Sequence, residues 1–340
     1  MTMDRFSSVD RRQFLKTAGA GAALAATTPG LLLGEETKPA TDAKAPESLV
    51  KHLYDTMNEK QKKELCLPWD HTDSRGLLRT RVQNNWHITK PVINSDYFTS
   101  DQKHLIRKIF EGIVSEEWIE RFDRQLKDDA GGFGNDQNIA IFGAPGEDKY
   151  ELVMTGRHMT VRCDGDSAEH VAFGGPIFYG HAAKGFNEKP EHPNNVFWHQ
   201  AVAANNVYKM LDGKQQAQAL LKTAPFEEDV KFQGPEGKFL GIKVADLSSD
   251  QKEGVQQVLQ TLIAPYRQTD RDEVVACLKK NGGLDECRLA FFKEGDIGDD
   301  KVWDIWRLEG PTFVWHYRGS PHVHCWVNVA DSPDVATNTA

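Results

Sequence analysis

This 340-residue chain lacks the residues for several common chemistries. It has no Walker loop and no Rossmann glycine pattern, so neither standard phosphate cradle is present. Neither a GxSxG nucleophile elbow nor an HExxH zinc helix occurs. Gly131-Gly132-Phe133-Gly134 is glycine-rich but does not open a helix after a strand, and it reads as a flexible loop. Cysteine is scarce: Cys66, Cys163, Cys277, Cys287 and Cys325 form no CxxC pair. Their odd number leaves at least one thiol unpaired, whether Cys277 and Cys287 bridge or all five are free. Basic blocks are missing, and the formal charge is -9, which argues against nucleic acid as a main partner. Beyond the N-terminal region no apolar run is long enough to span a membrane.

What is present begins at the N-terminus. Arg11-Arg12 stands before Phe14-Leu15-Lys16, and an uncharged, Ala- and Gly-rich stretch runs from Thr17 to Leu33. This is a charged region followed by a short apolar one, with the paired arginines that address a folded protein to the twin-arginine translocase. Residues 1–34 therefore read as a cleaved signal and residues 35–46 as a polar linker. Removal of the signal leaves a mature chain of about -11, working in the periplasm or outside the cell. A single domain is expected over 47–332, followed by a disordered tail, 333–340.

Four segments carry a capping signal followed by helix formers: Met57 to Lys62, Thr99 to Lys103, Leu211 to Gln216 and Leu247 to Lys252. Their unequal separations argue against a solenoid. Strand patterns lie at 138–142, 150–155, 157–163 and 171–179, and again at 288–292, 302–308, 312–317 and 323–329. Short loops between neighbouring strands favour antiparallel pairing. The expected fold class is α+β, with an antiparallel or barrel-like sheet built from two strand clusters and packed by helices.

Twelve histidines are present, and a few of them are placed suggestively. In Pro321 to Val327, strand alternation puts His322 and His324 on one face and Val323 and Cys325 on the other. In Arg157 to Cys163, the same logic groups His158 with Thr160 and Arg162. If these strands share a sheet, three imidazoles converge in a set suited to zinc or copper with one position left open. Glu309 and His316, on neighbouring strands, are candidates for a further ligand, a supporting partner or a proton carrier, and Glu309 is taken as the catalytic acid-base group. His181, at a strand end, is a weaker candidate. The plain alternative is a pair of solvated surface histidines. The aromatics Trp303, Trp306, Phe313, Trp315, Tyr317 and Trp326 form either core or a cleft for a sugar ring or other flat ligand.

Phe142-Gly143-Ala144-Pro145, Thr155 to Met159, Gly310-Pro311-Thr312-Phe313 and His322-Val323-His324 follow one another in the order and spacing of a bacterial family catalogued as domain of unknown function 3500. The chain resembles that family over roughly residues 47 to 332. Arg157 stands where the family usually has a first histidine, so the resemblance carries over only His158, His322 and His324. It implies an organisation and candidate residues rather than a reaction. Two functional expectations follow. One is an exported metal-dependent hydrolase or oxidoreductase, and the other is a metal-free protein that binds a small molecule or carbohydrate.

Overall fold

Helix starts dominate the local structure. A computed structural model of the chain describes residues 45–339, apart from 148, 166, 183–191, 193, 194, 299 and 301. The expected signal and nearly all of the linker lie outside the described residues. The four cap segments open α2 (Glu59–Leu65), α3 (Ser100–Ile113), α6 (Gly213–Ala219) and α7 (Ser249–Ile263). In each, Asn58, Thr99, Asp212 or Ser248 accepts from the backbone of a glutamine three residues on. That glutamine's side chain returns a bond to the cap's own N–H. Such a cap satisfies donors the helix cannot, and stabilises by about 1 kcal/mol.

The four glutamines also pair with one another. Gln61 and Gln102 exchange amide hydrogen bonds of 2.9 and 3.1 Å. Gln215 and Gln251 do the same at 3.1 and 2.8 Å. Gln102 donates further to the carbonyl of Thr56, the last residue of α1 (Pro46–Thr56). Gln251 donates to that of Met210, the last of α5 (Trp198–Met210). The same device thus ties three helices together twice.

The sheet repeats this plan. The first half contributes β1 (Cys66–Leu67), β4 (Asn138–Gly143), β5 (Tyr150–Gly156), β6 (Met159–Cys163) and β7 (Ile177–His181). The second contributes β8 (Leu220–Leu221), β10 (Arg288–Phe292), β11 (Ile305–Gly310), β12 (Phe313–Arg318) and β13 (Val323–Val329). The spatial order is β1-β4-β5-β6-β7-β13-β12-β11-β10-β8, the same from either end. β9 (Ile242–Lys243) adds to β10, and a separate hairpin joins β2 (Thr72–Asp73) to β3 (Gly76–Leu77). On the helical side, α4 (Ile119–Ala130) and α8 (Gln268–Lys280) complete the two halves, and Val114 bridges Tyr266 between them. The unequal spacing of the four cap segments is explained: they are two pairs in a duplicated plan, not successive repeats.

The chain is α+β, as expected, but the sheet is open, and its terminal strands β1 and β8 pair in parallel with β4 and β10. No closed barrel forms. Both faces of the sheet are covered. The helices bury one face in the main core, where Val161, Cys163, Tyr179, Cys325 and Val327 lie. The other face meets irregular segments carrying Val82 and Val230, which pack on Phe178, Val314 and Trp326. A polar face that alternation predicted is therefore buried rather than solvated. Part of it is satisfied internally: Glu151 receives Arg79 and Arg162, each at 3.0 Å.

Two further expectations change. The tail beyond Pro333 is not all disordered: Asn338 bridges Arg81 and donates to the carbonyls of Arg75 and Leu77 at 2.8 and 2.9 Å. The C-terminal aromatics do not line a cleft. Trp306, Phe313, Trp315, Tyr317 and Trp326 are at most 1% exposed, and Trp303 packs against the core. Trp306 stacks on Tyr317 with centroids 5.5 Å apart. All five cysteines are free. No described helix is long and apolar enough to cross a membrane.

Candidate metal centre

The central seam of the sheet, between β7 and β13, brings the candidate histidines together at one end. His322 precedes β13 and His324 lies within it, directly opposite Gly180 of β7. His158 arrives differently from the strand reading. β6 begins only at Met159, and His158 occupies the two-residue turn between β5 and β6 with φ of 55°. This left-handed conformation is uncommon for a residue with a side chain. It is held by a bond from His158 N–H to the Asn84 carbonyl at 2.9 Å.

Gly180 makes the reach possible. A Cβ there would meet the Val323 carbonyl oxygen at 2.4 Å and His158 Cδ2 at 3.3 Å. The absent side chain leaves room for the His158 ring to reach His324 across β7. His324 Nε2 then lies 2.9 Å from His322 Nε2 and 3.2 Å from His158 Nε2. The ligand nitrogens of all three lie within 4.8 Å of one another, and no other group of three or more potential ligands meets this test among the described residues.

Two of the rings are fixed from behind by carboxylates. Asp129, near the end of α4, lies 2.9 Å from His158 Nδ1, and also accepts from Gln125 at 2.8 Å and from the Ala182 N–H at 2.9 Å. Glu227 lies 3.0 Å from His324 Nδ1 and 2.9 Å from Arg318. Burial pushes the Asp129 carboxyl upward, but the hydrogen bond and charge of His158 outweigh it and hold the group below its usual range. Burial acts likewise on Glu227 and is outweighed by His324 and Arg318. An ionised carboxylate only accepts, so each Nδ1 carries a hydrogen, and in the neutral form of each ring Nε2 presents a lone pair. Burial, then the neighbouring histidines and Arg318, push His322 down to about 4. Burial also lowers His324.

The other candidates stand apart. Glu309 pairs with Val314, four residues along β11 from Ile305, which faces Arg318 opposite His324. That is about 13 Å along the strands, besides two strands across. Glu309 instead accepts from Gln233 at 2.9 Å, and burial raises its carboxyl against the opposing charge of Arg307. His316 accepts from Arg307 at 3.1 Å, and burial holds it well below the usual imidazole range. His181 lies at the rim of the cluster, buried, with Nε2 3.2 Å from Asp128. A cleft of about 590 Å³ near Arg79, His170 and Asp331 opens at the opposite end of the seam and contains none of the three histidines.

Sequence reasoning missed Asp129, Glu227, Gly180 and Arg318. One signal was available: Asp128 and Asp129 fall in the last turn of a helix, where the dipole disfavours acids and a second role is needed. Glu227 and Arg318 had none, because only folding brings residue 227 beside β13.

The duplicated plan also relates two of the motifs. Gly156 pairs with Met159 around Arg157-His158, and Gly310 pairs with Phe313 around Pro311-Thr312. The two turns occupy equivalent places, and only one bears a histidine. The family model described as a protein of unknown function (DUF3500) matches residues 40–331, and the twin-arginine translocation pathway signal sequence matches residues 8–28. Neither the curated proteins nor the solved structures contain a match. The signal marks a chain exported across the cytoplasmic membrane, and the match over most of its length places it in the DUF3500 family.

Proposed function

We propose that His158, His322 and His324 bind one metal ion and that the protein is a metal-dependent enzyme of the periplasm or exterior, with zinc-assisted hydrolysis as the favoured chemistry. One observation carries the reading. Nε2 of His158 and Nε2 of His324 face each other at 3.2 Å, each with its hydrogen committed to a carboxylate on the far side of the ring. In neutral rings two lone pairs so placed repel unless a proton or a metal ion lies between them. Zinc–nitrogen bonds of 2.0–2.1 Å in tetrahedral geometry put ligand nitrogens about 3.3 Å apart, close to the spacing seen.

The backing carboxylates fit the same role. A histidine that gives its second N–H to a carboxylate is a fixed and more basic ligand. Asp129 and Glu227 do this for rings on two different elements of the fold. A bound zinc would polarise a substrate oxygen and lower the pKa of a water in its fourth position. The protein's own contribution is to orient the three rings and shield them: His158 and His324 are about 5% exposed and His322 is half-buried, which leaves an approach on the His322 side. Copper also accepts three imidazoles, and an oxidoreductase is the outcome if copper is found. The aromatic-cleft alternative has lost its support, since those side chains are spent in the core.

The test is the metal content of mature, tag-free protein recovered from its export compartment, beside a His322→Ala/His324→Ala variant. Near-stoichiometric metal that vanishes in a folded variant supports the centre. Metal-free protein that takes up neither zinc nor copper on reconstitution refutes it.

A further inference from the structure

Glu227 does more than hold His324. One oxygen lies 3.0 Å from His324 Nδ1, and the other lies 2.9 Å from Nε of Arg318. Arg318 ends β12 directly opposite His324 on β13, and such partners project from the same face of a sheet. The guanidinium and the candidate metal ligand therefore stand side by side and share one carboxylate.

The guanidinium is incompletely used. Its contact with Glu227 has the distance of an ion pair without hydrogen-bond geometry, and both Nε and Nη2 are closed off from water with no hydrogen-bond partner among the described residues. Buried charged donors are rarely left so, because an unmade bond there costs the full desolvation of the group. The side chain as a whole is still 21% exposed, so the guanidinium is within reach of solvent, and arginine's fork of donors suits an oxyanion.

We infer that the substrate of this centre carries a small oxyanion, a carboxylate or a phosphate, which Arg318 binds beside the metal. This rests on the metal-centre reading and names the substrate class for it. Arg318 is thereby a specificity-determining residue, and Glu227 positions it together with His324.

The experiment uses mature protein loaded with cobalt(II), as wild type, Arg318→Gln and Arg318→Lys, with metal content measured first. Each is titrated with acetate, with inorganic phosphate and with neutral imidazole, read from the cobalt spectrum. Calorimetric titrations with the two anions are repeated on metal-free protein. The expected result is that acetate or phosphate binds the wild type and binds Arg318→Gln about tenfold or more weakly, as loss of a charge-assisted bond implies. Imidazole affinity stays the same, and Arg318→Lys recovers part of the loss. The anion that responds tells carboxylate from phosphate. Equal anion affinity in wild type and Arg318→Gln overturns the inference, as does an equal loss for imidazole, which would mean that the site has merely collapsed. Failure of all three proteins to take up cobalt refutes the metal centre instead. The oxyanion site is then judged by the metal-free titrations, where a similar loss in Arg318→Gln supports it and no binding overturns it.

Discussion

Replacing Glu227 by glutamine keeps the shape of the side chain and removes its charge. Glu227 has two jobs, one oxygen toward the His324 Nδ1 hydrogen and one toward Arg318. An amide weakens the arrangement, because in either orientation its NH2 group meets a donor. Loss of such a partner behind a ligating histidine typically weakens metal binding 10–100-fold. With free zinc at a hundred times the wild-type Kd, the metal stabilises the wild type by about 2.7 kcal/mol. The same zinc then stabilises Glu227→Gln by only about 0.4–1.4 kcal/mol. The difference, about 1.3–2.3 kcal/mol, amounts to roughly 2–4 °C of the zinc-induced rise in Tm for a chain of this size. Competition with a chromophoric chelator gives the affinities, and scanning calorimetry with and without zinc gives the shifts. A variant that binds zinc as tightly as wild type, with the same rise in Tm, would refute the assigned role of Glu227. A wild type with no rise at all would refute the centre.

Other consequences are open to direct test. Gly180→Ala places a Cβ 2.4 Å from the Val323 carbonyl oxygen and against the His158 ring. It should destabilise by about 2 kcal/mol or more in denaturant unfolding and abolish metal uptake; near-wild-type values of both would count against the ring's placement. Glu151→Ala leaves Arg79 and Arg162 buried without their shared counter-ion and should cost about 3–5 kcal/mol, read from the shift in urea midpoint. A cost below about 1 kcal/mol would show that water or another acid compensates. Glu309→Gln should leave zinc content unchanged, because Glu309 lies far along β11; a loss of metal would bring it back into the site. Burial, then Arg121, push His199 down to about 4 from 6.5. The unfolded chain therefore binds the proton more readily between those values, and this share of stability is present above pH 6.5 and lost as pH falls toward 4. His199→Gln should flatten the dependence of Tm on pH in that window, and an unchanged slope would refute the assignment.

Much of this protein is written locally. The twin arginines and the following apolar stretch are contiguous signals. Each of the four capping boxes needs only a cap residue and a glutamine three positions later, so the starts of α2, α3, α6 and α7 are legible without any partner. The strand patterns at 288–292 and 323–329 coincide with β10 and β13 because buried strands read as continuous apolar runs. Alternation alone puts His322 and His324 on one side of the chain, although only His324 lies within β13. Tertiary structure decided the rest. Gln61 pairs with Gln102, and Gln215 with Gln251, only when distant helices pack, so the duplication behind four similar segments is invisible in their spacing. His158 joins the cluster through a left-handed turn and a glycine on the neighbouring strand, neither of which strand alternation specifies. Glu227 and Arg318 meet His324 across long sequence separations, and Glu309, two strands away on the same sheet, is carried out of reach by register. Local sequence sets which backbone groups are satisfied within a helix or strand. Which side chains share a volume is set by register and packing between elements, and the candidate centre depends on both.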